Sequence, residues 1–123
     1  MIYDPLDATP YAQHSGSQPI RPGIASGNYV YVMDLNGVIH VLPDEPHRHP
    51  RILGAAQSVK YAGDLMIKEC TIIDVTNLSG TFDCDDAAGL LDVADELRRQ
   101  GFLVSSRGVR FFPRDGSRPR ILQ

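Results

Sequence analysis

Only one stretch of this chain carries a sustained helical period. "DCDDAAGLLDVADELRRQG", residues 83–101, lines up Leu90, Leu91, Val93, Ala94 and Leu97 on one apolar face. Aspartates crowd its start, Arg98 and Arg99 its end, and Gly101 stands where a helix stop takes a left-handed conformation. The pattern predicts a helix over roughly 85–100. Gly89 inside it costs about 1 kcal/mol against Ala and so marks a close approach of helix to sheet. A lone helix cannot bury its apolar face on itself, so that face must lie on a sheet built from the rest of the chain. The expected class is α+β: an antiparallel sheet of β-hairpins packed against one main α-helix.

The strands of that sheet are legible from turn residues and alternation. In "NYVYVMDLNGVIHVLP" residues 29–34 form one strand and 38–42 the return, with Asn36-Gly37 supplying the two positive-φ positions of a type I′ turn. Residues 62–77 predict a second hairpin that turns at Lys68-Glu69, with Gly63 letting its first strand begin tightly. "TNLSG" then closes the ladder, since Asn77 and Ser79 can hydrogen-bond nearby backbone. "FLVSSRGVRFF" predicts a third hairpin turning near Arg107-Gly108. "PDEPHRHPR" is a loop by its prolines, and "ILGAAQSV" fits either a short helix or a buried strand.

At 123 residues the chain is one domain with room for a core without disulfides. Residues 1–28 hold four prolines and three glycines and predict an extended arm that lies over the body or is loose; residues 29–123 form the α+β domain. No apolar run approaches the roughly 18 residues of a membrane span. The N-terminus lacks the basic and apolar regions of a secretory signal. Cys70 and Cys84 lack paired spacing. A cytoplasmic location is the expectation.

Charge is divided along the chain. Residues 1–97 carry 14 acidic and five basic side chains, a net of −9, whereas residues 98–123 carry seven arginines against Asp115, a net of +6. Arg110, Arg114, Arg118 and Arg120 are candidates for phosphate contact. The competing reading folds this basic end against the acidic part of the same chain, which would repel nucleic acid. That reading is preferred, so no nucleic-acid partner is expected.

Titratable side chains gather between residues 40 and 49: His40, Asp44, Glu45, His47 and His49. His47 and His49 flank one residue and could start a metal site, but no third ligand stands at an obvious spacing, so neither metal nor cofactor is expected. Either imidazole titrates near neutrality and suits general acid–base work. Cys84 sits near a helix start, which lowers a thiol pKa, but Asp83, Asp85 and Asp86 push the other way; its role is structural. Nucleophile-elbow and phosphate-loop patterns do not occur.

From Tyr31–Asp34 through Gly37, His47 or His49, Val59, Ala62, Gly63, Asp64, Asn77, Ser79, Gly80 and Phe82, the chain resembles a β-rich domain of the form "AG(E)…N-x-SGHY". That domain occurs in the C-terminal region of plant IQ-motif calmodulin-binding proteins and in bacterial proteins associated with polymorphic-toxin or Rhs chains. The likeness covers roughly residues 29–104. Thr81 stands where the family has a second His, Cys84 where it has Pro, and the IQ motif is absent, so calmodulin is not an expected partner. The resemblance implies a strand hairpin, a His-containing loop, a second hairpin and a helix. Two functions follow as expectations. One is a binding module that takes a protein or small polar ligand at the 43–51 loop and the 77–82 turn, through His40, His47, His49, Asn77 and Ser79. The other is a small effector enzyme of the toxin type, of the kind delivered to another cell, acting on a nucleotide or nucleic acid. His47 or His49 would be its acid–base group, beside Asp64 or Asn77.

Overall fold

The computed structural model describes residues 1–45 and 49–122. The elements in chain order are β1 (Gln18–Pro19), β2 (Gly27–Met33), β3 (Ile39–Pro43), α1 (His49–Leu53), β4 (Tyr61–Lys68), β5 (Thr71–Thr76), α2 (Ala87–Arg99), β6 (Leu103–Val104), β7 (Val109–Phe111) and β8 (Arg120–Ile121). The strands join in one sheet of order β1-β3-β2-β4-β5-β7-β8, with β6 also on β5. The class is α+β with one main helix. The sheet, however, is mixed, not antiparallel throughout.

The departure lies after the helix. Residues 102–112 do not form a hairpin: β6 and β7 lie one after the other along β5, both parallel to it, pairing Thr71 with Leu103 and Val75 with Val109. Parallel neighbours need a crossover, and α2 is that crossover. It carries the chain back along the sheet, so the strands beyond it must run the same way as β5. Arg107-Gly108 is therefore a jog between two edge segments. Gly108 passes so close to β5 that a Cβ would lie 2.9 Å from the Ile73 carbonyl oxygen.

Paired residues share a face of a sheet. The registers put Val30 with Asp64 and Val32 with Ala62 on one face, and Tyr29 with Leu65 and Tyr31 with Gly63 on the other. Helix α2 covers the second face, where Leu90, Val93, Ala94 and Leu97 are buried. Leu91 is only half-buried, at the margin of that stripe. Gly89 is the expected close contact, because a Cβ there would meet the Tyr61 ring at 2.5 Å. Asp86 caps the helix by accepting the Gly89 N–H at 2.7 Å, so the aspartates precede the helix and do not fill its first turn. Gly101 ends it with φ 106°.

Both early turns differ from expectation. In the first, Gly37 alone takes positive φ, at 84°, and Asn36 does not. Asp34 decides this: its carboxylate accepts the N–H groups of Asn36 and Val38 at 2.9 and 3.0 Å, while its carbonyl accepts from Gly37. The result is a three-residue loop with glycine in the left-handed place. The two-residue geometry appears instead at Glu69-Cys70, one step beyond the expected turn, with φ of 50° and 67°. Gly63 does not open β4 but stands within it. The Tyr31 side chain crosses over Gly63 to donate its hydroxyl proton to the Thr76 carbonyl at 2.7 Å. A Cβ on Gly63 would fall inside that carbonyl oxygen and 3.0 Å from the Tyr31 hydroxyl.

The ambiguous segment 52–59 ends α1 and then passes through Gly54, Ala55 and Ala56, all in the left-handed region. The N-terminal arm lies on the body. Tyr3 exchanges both backbone hydrogen bonds with Val59, Ala55 donates to the Tyr11 carbonyl, and β1 adds to the edge of β3. Among the described residues no helix is long and apolar enough to cross a membrane.

Candidate functional site

The sheet face turned away from α2 carries Val30 and Asp64 at its centre, and they form the floor of a cavity of about 730 Å³. Three segments wall it. Asp44, Glu45, His49 and Pro50 come from the loop after β3 and the start of α1; Leu78, Ser79, Gly80 and Thr81 come from the turn after β5; Leu6, Asp7 and Tyr11 come from the arm. The volume suits a small ligand, and the mix of apolar wall with a few convergent polar groups is that of binding sites.

Each polar group is held by its neighbours. His49 Nε2 lies 2.8 Å from the Gly63 carbonyl, which can only accept, so that nitrogen carries the proton and Nδ1 keeps its lone pair when the ring is neutral. Burial pushes the His49 pKa below its usual value, against smaller opposing effects of the Gly63 carbonyl and Asp44. Asp64 anchors its backbone N–H on Thr76 Oγ1 at 3.3 Å, but its carboxyl makes no hydrogen bond among the described residues. Burial raises that carboxyl to about 6, helped by the charges of Asp44 and Asp74. Ser79 Oγ accepts the N–H groups of Thr81 and Phe82 at 3.1 and 3.2 Å and so shapes the turn wall, as its position after β5 suggests.

The candidate residues divide accordingly. His49, Asp64 and Ser79 meet in the cavity. His47 lies outside the described residues. His40 does not join them: it sits at the hairpin end and pairs with Asp34 at 2.8 Å. Asn77 is a buried brace, donating to the carbonyls of Cys84 and Phe112 at 2.9 Å each and accepting the Phe112 N–H at 2.7 Å. It thus ties the end of β5 to the helix approach and to the strand after it, and its amide is spent. Cys84 is buried, and burial with the nearby aspartates lifts its thiol to about 12, consistent with a structural role.

Of the four phosphate-contact candidates, two are engaged by carboxylates of the same chain. Arg110 grips Asp74 through two hydrogen bonds of 2.6 and 2.8 Å, and Arg114 pairs with Asp83 and Asp85. Arg120 lies over the Phe111 ring, and Arg118 is exposed. No Lys or Arg lines the cavity among the described residues, whereas four carboxyl groups do: Asp7, Asp44, Glu45 and Asp64. Among those residues no group of three or more His, Cys, Asp or Glu side chains is placed to share a metal ion. The arm's contribution of Leu6, Asp7 and Tyr11 has no sequence signal, because only the path of the chain brings residues so distant to the site. In comparison with known proteins, no family model, curated protein or solved structure matches this chain.

Proposed function

We propose that the protein is a small binding module that seats a positively charged polar group, an amine or guanidinium on a small molecule or on a protein partner's side chain. One observation carries this reading. Asp44, Glu45, His49 and Pro50 on one side and Leu78–Thr81 on the other line one cavity whose floor holds Asp64, a half-buried carboxyl without a hydrogen-bond partner among the described residues. A cation would supply that partner, and Val30, Leu6 and Leu78 would pack its alkyl part. The resemblance to the "N-x-SGHY" domain groups the same segments. Titration calorimetry at pH 7.5 with agmatine, argininamide and AMP tests it. The two cations are expected to bind and AMP is not, and Asp64→Asn is expected to weaken agmatine roughly tenfold, as loss of a charge-assisted hydrogen bond requires. Binding of AMP without binding of either cation would sink the reading.

That outcome would favour a nucleotide-directed enzyme instead. Its support is His49, which keeps a lone pair on Nδ1 when its ring is neutral, in the same cavity as Asp64. The acidic lining opposes a phosphate-bearing substrate, which places it second.

A further inference from the structure

One wall of the cavity is built unlike the others. Leu78–Thr81 follow directly from a sheet strand, and His49 opens a helix, but Leu6 and Asp7 belong to a seven-residue strap, residues 4–10, stretched between two fixed points. At one end Tyr3 is bonded both ways to Val59, at 2.8 and 2.9 Å, and its hydroxyl reaches Asp86 at the cap of α2. At the other end the Tyr11 carbonyl accepts from Ala55 at 2.8 Å, and Arg51 lies 4.9 Å over the Tyr11 ring.

Between those anchors the strap is joined to the body by little. Pro5 and Pro10 have no N–H to give. Among the described residues, one backbone hydrogen bond, from Leu6 N–H to the Thr81 carbonyl at 2.8 Å, and one side-chain bond, between Ser58 and Asp4, cross to the body. Leu6 is 68% exposed. The remaining polar groups are turned inward on the strap itself. Asp7 accepts the Thr9 N–H at 3.0 Å and the Thr9 hydroxyl at 2.7 Å, and Tyr11 N–H donates to the Thr9 carbonyl at 2.9 Å. The segment is thus braced internally and attached weakly, the construction of a part that moves as a unit. Its latch partner, Thr81, and its own Leu6 and Asp7 all line the cavity. Behind it, a narrow cleft lined by Asp7, His49, Pro50, Val59 and Phe82 continues from the same wall.

We propose that residues 4–10 are a flap, hinged at Tyr3 and Tyr11 and latched by Leu6 on Thr81, that swings off the cavity to admit the ligand. That the flap serves ligand entry rests on the binding reading above; that it opens does not. Two hydrogen bonds of ordinary net strength hold the closed form over the open one by roughly 5- to 150-fold, so an appreciable open fraction exists at equilibrium.

Two measurements test this. The first is amide hydrogen exchange by NMR on the unliganded protein. The Leu6 amide is expected to exchange at least tenfold faster, relative to its intrinsic rate, than the anchor amides Tyr3, Ala55 and Val59. Equal protection at Leu6 and at the anchors overturns the flap. The second is a lock: Leu6→Cys with Thr81→Cys in a Cys70→Ser background, comparing oxidised and reduced forms of the same variant. The association rate of agmatine is expected to fall at least tenfold on oxidation and to recover on reduction; an unchanged rate overturns gated entry. If agmatine binds neither form, the cation reading fails while the exchange measurement still decides whether the strap opens.

Discussion

Replacing Asp64 with Asn should make the protein more stable at neutral pH while removing its proposed ligand contact. The carboxyl is lifted from an ordinary 3.8 to about 6 because folding places it, half-buried and without a hydrogen-bond partner among the described residues, on the cavity floor. In a fully dry site that difference corresponds to about 3 kcal/mol against the ionised form. The group is only partly buried and still reaches water, so screening reduces it to about 1 kcal/mol. The direction with pH follows from proton binding. Between about 4 and 6 the folded state holds the proton that the unfolded chain has released, so this group's penalty is absent below about 4, grows through that window and is complete above 6. Asp64→Asn is neutral where the wild-type carboxyl is protonated and should therefore match wild type near pH 4. At pH 7 it should exceed wild type by about 1 kcal/mol, a rise of about 4 °C in midpoint for a domain of this size. Thermal unfolding followed by circular dichroism at pH 4, 5, 6 and 7 checks the difference between the two proteins. His49 is depressed by burial and contributes the opposite slope near its ordinary value, which cancels on comparing them. A variant less stable than wild type at pH 7, or a difference that does not grow with pH, would refute the account of Asp64 as a carboxylate penalised by burial.

Gly63→Ala should cost about 3 kcal/mol by chemical denaturation, because its Cβ would occupy the Thr76 carbonyl and displace the Tyr31 hydroxyl bonded there. Glu69→Asn should raise stability by about 0.5 kcal/mol, since Asn tolerates the left-handed conformation that Glu69 is held in at φ 50°. Ellman's reagent at pH 8 should titrate the half-buried Cys70 and leave Cys84 unmodified until denaturant is added, because the Cys84 thiol is buried and its pKa is pushed up to about 12.

The helix was legible in residues 83–101 because its signals are local. Side chains three and four apart report one face, and cap and stop lie within a turn of the ends. The same holds for the strands of the first two hairpins and roughly for the place of their turns, but not for α1, which starts inside the expected 43–51 loop, nor for β1 and β8. Local signals fail where a partner distant in sequence decides, or where a nearby side chain competes for the backbone. Asn36-Gly37 reads as a two-residue turn until Asp34 takes the free N–H groups. "FLVSSRGVRFF" reads as a hairpin until α2 returns the chain parallel to β5. Gly63 reads as a loosened strand start until Tyr31 passes over it from β2 to reach β5. The site divides in the same way. His49, Asp64 and Ser79 are visible in the sequence as polar side chains, but Asn77 looks alike and proves to be a brace. The amino-acid order was enough to set α2, the first two hairpins and the chemical types available to a site, because these depend on residues within a few positions of one another. It took the folded chain to bring three of those residues into one cavity, to wall one side of that cavity with the N-terminal arm, and to leave Asp64 without a partner among the described residues. Each of these depends on contacts that exist only once distant segments of backbone are brought together.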